Sequence, residues 1–153
     1  MSDLSDTQRS PSCGVNDKGY EWEPSTGSCY KYHPIIKSWR RARDICLHEG
    51  GQLAIINSVT ESLVLKNIYL KNQIYRPPHM DPNHAFIGFR KSNDGNWVTV
   101  NGQSLAEAGF DRWAPGEPNN YNGAEECGSI RVGLLNDWPC SKHPLPCICE
   151  ITP

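Results

Sequence analysis

The chain has 153 residues, the length of one domain, and its net charge of −2 offers no basic field to hold a phosphate backbone. Its apolar runs, such as Leu53-Ala54-Ile55-Ile56 and Ala85-Phe86-Ile87-Gly88-Phe89, fall far short of the roughly 20 residues that span a bilayer. The expected partner is therefore neither nucleic acid nor a membrane interior, and five Trp, six Tyr and three Phe demand a folded core.

Residues 1–12 are polar apart from Met1 and Leu4, which reads as a flexible tail without the apolar core of a signal peptide. Residues 13–153 form the expected domain. They hold seven cysteines, Cys13, Cys29, Cys46, Cys127, Cys140, Cys147 and Cys149. That density suits an oxidising compartment and predicts a secreted or extracellular protein with one thiol left over. Zinc is disfavoured, because no C-x2-C ligand pair is present.

Tyr20–Glu23 and Cys29–Tyr32, separated by Pro24-Ser25-Thr26-Gly27, read as a hairpin that Cys13 and Cys29 could staple. Ser38 is a candidate N-cap, followed by Trp39, Ala42 and Cys46 at helical spacing until Gly50-Gly51 stops the segment. Ser58-Val59-Thr60-Glu61 has capping-box form, and Leu63, Val64, Ile68 and Tyr69 carry a second helix to about Lys71. From Gln73 to His84 the chain reads as a surface loop with three prolines; its His79 and His84 are read as ordinary loop residues rather than metal ligands. Ala85–Arg90, Asn96–Val100, Cys127–Val132, Leu134–Trp138 and Pro146–Glu150 read as short strands. Two helices followed by several strands predict an α+β fold with an antiparallel sheet. Residues 111–126, rich in Gly, Pro and Asn, form a long loop of the kind that carries function.

The chemistry concentrates there. Glu117, Asn119, Glu125, Asn136 and Asp137 supply three carboxylates and two amides, hard oxygen donors that suit calcium. Between Glu117 and Asp137 four carboxylates face a single cation, Arg131. Such a cluster needs either a cation or ample solvent, and composition alone leaves an exposed acidic loop equally open.

In its spacing the chain resembles the carbohydrate-recognition domain of C-type lectins, the calcium-dependent animal lectins, over about residues 13–150. The resemblance rests on Gly27-Ser28-Cys29-Tyr30, Trp39 and Ala42 before Cys46, Gly51-Gln52-Leu53-Ala54, Phe86-Ile87-Gly88-Phe89, Trp113 through Asn120, Glu125-Glu126-Cys127, Asn136-Asp137 with Cys140, and Cys149-Glu150. It implies the double-loop α+β lectin fold, with Cys46 paired to Cys149, Cys127 to Cys140, and Cys13 to Cys29. Glu117-Pro118-Asn119 then matches the Glu-Pro-Asn motif of mannose-type lectins, with Pro118 as a cis-proline. Asn136, Asp137 and Glu125 match the remaining calcium ligands. The implied cofactor is Ca2+. The implied partners are glycans on microbial or host cell surfaces that present equatorial vicinal hydroxyls, as in mannose, fucose or N-acetylglucosamine. Because a site gripping two hydroxyls at an open surface binds single sugars weakly, useful avidity calls for several sites on one particle.

The match has departures. Leu135 stands where the family usually has Trp, and is read as a core substitution. Asn120 replaces an Asp common in members with a second calcium site, which puts that site in doubt. Cys147 replaces an aromatic residue and reads as a buried thiol, with an intermolecular disulfide as the alternative. Tyr121 and Trp138 flank the matched ligands and are candidate sugar-stacking residues, Trp138 equally a core aromatic. Two other functions compete with a calcium-dependent lectin: a lectin-like domain that binds a protein, and a glycoside hydrolase using two of Glu117, Glu125 and Asp137. Calcium-neutralised carboxylates make poor proton carriers, so no enzyme is expected.

Overall fold

The computed structural model describes Cys13, residues 19–72 and residues 84–153; the expected tail at 1–12 and most of the Pro-rich segment, with His79, lie outside them. The hairpin forms from β1 (Glu21–Glu23) and β2 (Ser28–Lys37), paired antiparallel. Ser38 caps α1 (Trp39–His48) by accepting a bond from Arg41 N at 3.3 Å, and Trp39, Ala42 and Cys46 turn inward. A short β3 (Gln52–Leu53) leads to α2 (Val59–Asn72). At its start the Ser58 hydroxyl accepts from Glu61 N as a capping box requires, but the Glu61 carboxylate accepts from Asn57 N instead of Ser58 N.

The second half is β4 (His84–Lys91), β5 (Trp97–Thr99), a one-turn α3 (Leu105–Ala108), a 3-10 turn at Tyr121–Gly123, then β6 (Cys127–Arg131), β7 (Leu134–Trp138) and β8 (Leu145–Ile151). The strands form one sheet in the order β1-β2-β8-β4-β6-β7, with β3 added to β8 and β5 to β4. This is the expected α+β architecture, with additions among the described residues that include the two-residue β3 and the 3-10 turn. The third helix, α3, has no counterpart in the sequence pattern, and β4 meets β8 in parallel at Phe86↔Cys147 although an antiparallel sheet is expected. A further correction concerns His84, expected on an exposed loop. It opens β4, is buried at 5% exposure and packs on Trp138 with ring centroids 4.2 Å apart.

Three disulfides form, Cys13–Cys29, Cys46–Cys149 and Cys127–Cys140. The middle one closes 103 residues of sequence, a loop length worth about 4.7 kcal/mol in the chain-entropy account. Cys147 carries no disulfide and is wholly buried, as a small apolar thiol would be. Leu135 is buried with Ile56, Ile87, Phe89, Ile130 and Ile148, a core residue as expected.

The β6–β7 hairpin sets the register that carries the site, pairing Ser129 with Asn136 and Gly128 with Asp137. Its two turn residues, Val132 and Gly133, both have positive φ, 51° and 84°. A type I′ turn demands this, and a β-branched residue bears it poorly. Val132→Asn is expected to stabilise the domain by about 0.5–1 kcal/mol, read as a higher urea midpoint at unchanged slope. An unchanged or lower midpoint would mean that Val132 makes contacts worth more than its backbone strain.

Candidate functional site

The long loop is stitched to β7 before it reaches the site. Ala114 N donates to Leu135 O at 2.8 Å and Leu135 N to Arg112 O at 3.0 Å. Trp113 anchors the loop by packing edge-on against Phe89 and Trp97, at 5.7 and 5.2 Å between centroids. The chain then turns through Glu117 N→Ala114 O and passes a cis bond between Glu117 and Pro118.

Asp137 organises the loop beyond that bond. It is fully buried on β7, and its two oxygens accept from Asn119 N at 3.2 Å and Asn120 N at 2.7 Å. Tyr121 N donates to Asn119 Oδ1 at 3.2 Å and to Glu125 Oε1 at 3.1 Å, while Glu125 N donates to Asn120 Oδ1 at 3.2 Å. Asn120 sits in the left-handed region at φ 45°, ψ 49°, a conformation asparagine tolerates better than most residues. In the sequence Asn120 reads only as a lost ligand. Its position ties Asp137 to Glu125, and an Asn-Asn pair before a Gly-containing turn is the signal that points to it.

These bonds bring three of the five expected ligands together. One carboxylate oxygen from each of Glu117, Glu125 and Asp137 lies within 4.8 Å of the others. Asn119 stands at the same junction through its bond to Asp137, and Asn136 precedes Asp137 on β7 with its amide donating to Asp137 O at 2.7 Å. Burial, then the neighbouring Asp137, pushes the Glu117 carboxyl up to about 7, and burial likewise raises Glu125. Glu117 Oε1 is buried without any hydrogen-bond partner. An orphaned carboxylate oxygen beside two further carboxylates fits a divalent cation held by hard oxygens, and is otherwise costly. Backbone amides thus pre-set Asp137 and Glu125, leaving Glu117 and the crowded negative charge for an ion.

The two aromatic candidates separate. Tyr121 is 67% exposed at the tip of the 3-10 turn. Trp138 is half-buried, its ring tilted 53° against that of His84 and its indole N–H donated to His143 O at 2.8 Å.

A family model for the lectin C-type domain matches residues 35–151. Among curated relatives, the hemolymph lipopolysaccharide-binding protein of Periplaneta americana is 42% identical over 137 residues, covering 87% of this chain and 52% of that protein. The chain therefore spans about half the length of that relative. Among solved structures, the C-type lectin CEL-I from Cucumaria echinata superposes with a TM-score of 0.73 at 22% identity, covering 88% of this chain and 95% of that one. The Ca2+-independent C-type lectin SPL-2 from Saxidomus purpuratus does so with a TM-score of 0.70 at 24% identity, over 92% and 98%.

Proposed function

Since the chain belongs to the C-type lectin domain family, we propose that it is an extracellular, calcium-dependent lectin that binds mannose-, fucose- or N-acetylglucosamine-type vicinal hydroxyls. The observation that carries the reading is the orphaned Glu117 Oε1 beside Glu125 and Asp137. Glu117, Asn119, Glu125, Asn136 and Asp137 would hold Ca2+, which supplies open oxygen coordination for two sugar hydroxyls. The chain's own part is directional. Carboxylates of Glu117 and Glu125 accept from a hydroxyl, and amides of Asn119 and Asn136 donate to it, so one hydroxyl geometry is read. Tyr121, exposed beside these groups, offers a ring face to the apolar side of the sugar; Trp138 is the poorer candidate because it is half-buried and packed against His84.

Catalysis finds no support in this arrangement. The family is generally non-enzymatic. Glycoside hydrolysis needs one carboxyl group to carry a proton, whereas three carboxylates with oxygens within 4.8 Å of one another suit a shared cation that would neutralise them. The relative from Periplaneta americana is named for a microbial glycolipid and for hemolymph, which supports glycans on microbial or host surfaces as partners. No helix among the described residues is long and apolar enough to cross a membrane.

The test is glycan-array binding with calcium and with chelator. Binding of mannose-type termini that chelator abolishes is expected. Chelator-resistant binding would move the chain beside the calcium-independent lectins, and no glycan binding at all would favour a protein partner. Glu117→Gln combined with Asn119→Asp keeps the oxygens and the charge but exchanges donor and acceptor. Mannose affinity is expected to fall at least tenfold while galactose affinity rises, about 1.4 kcal/mol in each comparison. A double variant that still prefers mannose in competition would assign selectivity to other residues, Tyr121 first.

A further inference from the structure

The Cys46–Cys149 bond fastens α1 to β8, and Cys147 lies two residues along the same strand, on the same face. The sulfurs of Cys46, Cys147 and Cys149 all lie within 4.8 Å of one another, and all three residues are fully buried. We propose that Cys46 has two alternative partners, so that the staple between α1 and β8 exchanges between Cys46–Cys149 and Cys46–Cys147 by intramolecular thiol–disulfide interchange.

The step balances without an outside reagent. The Cys147 thiolate attacks Cys46 Sγ; the Cys46–Cys147 bond forms, the Cys46–Cys149 bond breaks, and the electron pair leaves on Cys149, which takes up the proton Cys147 gave up. One thiol and one disulfide are present before and after. Attack on Cys149 Sγ is the poorer path, because a Cys147–Cys149 bond would join α-carbons about 6.6 Å apart along one strand, near the upper limit for a disulfide. On β2 Cys149 pairs with Lys31 and Cys147 with His33, so the two sulfurs stand at successive positions of one face of the ladder. Helix α1 stays fastened to β8 throughout.

Proton carriers surround the sulfurs. His33 and Glu49 each have an atom within 4.8 Å of Cys149 Sγ. His33 Nε2 pairs with Glu49 Oε1 at 3.0 Å, and Tyr20 OH donates to the same oxygen at 2.8 Å. Lys31 Nζ stands 3.8 Å from the other Glu49 oxygen, and Lys37 on β2 adds a positive charge that acts on Cys147. Burial holds His33 below its usual range, so it is a neutral proton acceptor at neutral pH. Burial also pushes the Cys147 thiol up to about 11. Interchange is therefore slow at neutral pH, and its rate rises about tenfold per pH unit with the thiolate fraction.

Two measurements test this. The folded protein is held at pH 6, 8 and 9, acidified, denatured and alkylated, and the labelled cysteine is located by peptide fragmentation. Label starting on Cys147 and spreading to Cys149, tenfold faster per pH unit, is expected. Label confined to Cys147 at every pH and time would overturn the proposal. In parallel, Cys149→Ser is expected to form Cys46–Cys147 and show no free thiol, and Cys147→Ser to keep Cys46–Cys149. Two free thiols in Cys149→Ser, with Cys13–Cys29 and Cys127–Cys140 intact, would also overturn it. If Cys149→Ser does not fold, the labelling of the native chain decides alone.

Discussion

In chelator, the melting temperature is expected to fall as pH rises from 5 to 8, and saturating calcium to reverse that trend. Glu117 is pushed up to about 7 by burial and by Asp137, and Glu150 to about 8 by burial and by the neighbouring Glu61. Both folded-state values lie above the unfolded carboxylate range of about 4.3. Between the two ranges the folded chain holds protons that the unfolded chain has released, so this contribution is fully present below about 4.3 and is lost as pH rises through about 7 and 8. His33, lowered by burial, works the other way up to about 6.5 and weakens the trend at its acid end. Calcium acts oppositely, because it needs Glu117, Glu125 and Asp137 ionised and protons compete with it. Bound only to the folded state, it adds about 2.7 kcal/mol at a hundredfold excess over Kd, an increment that fades as acid raises Kd.

Glu150→Gln separates the two sources. Glu150 accepts from Ser28 Oγ at 2.7 Å and from Ile55 N at 3.1 Å, neither of them a calcium candidate. The substitution is expected to flatten the chelator slope above pH 7 and to leave the calcium increment in place. Differential scanning fluorimetry at pH 5, 6.5 and 8, with calcium and with chelator, reads both. A calcium increment absent at neutral pH, or undiminished at pH 5, would mean that these carboxylates do not form an ion site.

Elements whose stabilising signal is local are legible in the sequence. Ser38 and Ser58 mark helix starts because a cap bond needs only a hydroxyl and an amide three residues on. Ser104 and Glu107 form a full reciprocal capping box at α3, closed by Gly109 at φ 114°, yet four residues are too few to show an apolar period. The spacing that reveals α2 is therefore silent on α3. His84 reads as a loop residue because three prolines before it dominate the window, while the residues it packs and pairs with, Trp138 and Arg131, lie 54 and 47 positions away. The parallel contact of β4 with β8 likewise depends on chain crossover, which no local pattern encodes.

The site divides along the same line. Donor types, hard oxygens without a soft ligand, are readable from composition, and the pairing of three disulfides comes from the family resemblance rather than from spacing. Hidden are the internal bonds: Asn120 bridging Asp137 and Glu125, and the stranded oxygen of Glu117. Both arise where a turn folds back on β7. A residue's chemistry is local, whereas its unmet bonds are a property of the packed whole.

Asp137→Asn is expected to abolish calcium-dependent sugar binding while the three disulfides and the fold persist. Asp137 has two tasks, supplying one carboxylate of the cluster and holding the loop by accepting from Asn119 N and Asn120 N. An asparagine retains one acceptor oxygen and turns an NH2 toward the other amide, so one of the two bonds is lost. That loss costs about 1–3 kcal/mol locally if the amide stays dry, and less where water reaches it. Removing the charge also withdraws the neighbour that helps raise Glu117, whose carboxyl then moves down toward its ordinary range. Calcium affinity should drop by more than the roughly 10–100-fold that a supporting residue costs, since a ligand itself is altered. Hydrogen exchange supplies the second reading: the Asn119 and Asn120 amides should exchange faster in Asp137→Asn, whereas those of α1 and β8, remote and disulfide-bound, should not. Retained calcium affinity with faster loop exchange would make Asp137 a positioning residue only, and retained protection of both amides would break the arrangement described for the loop.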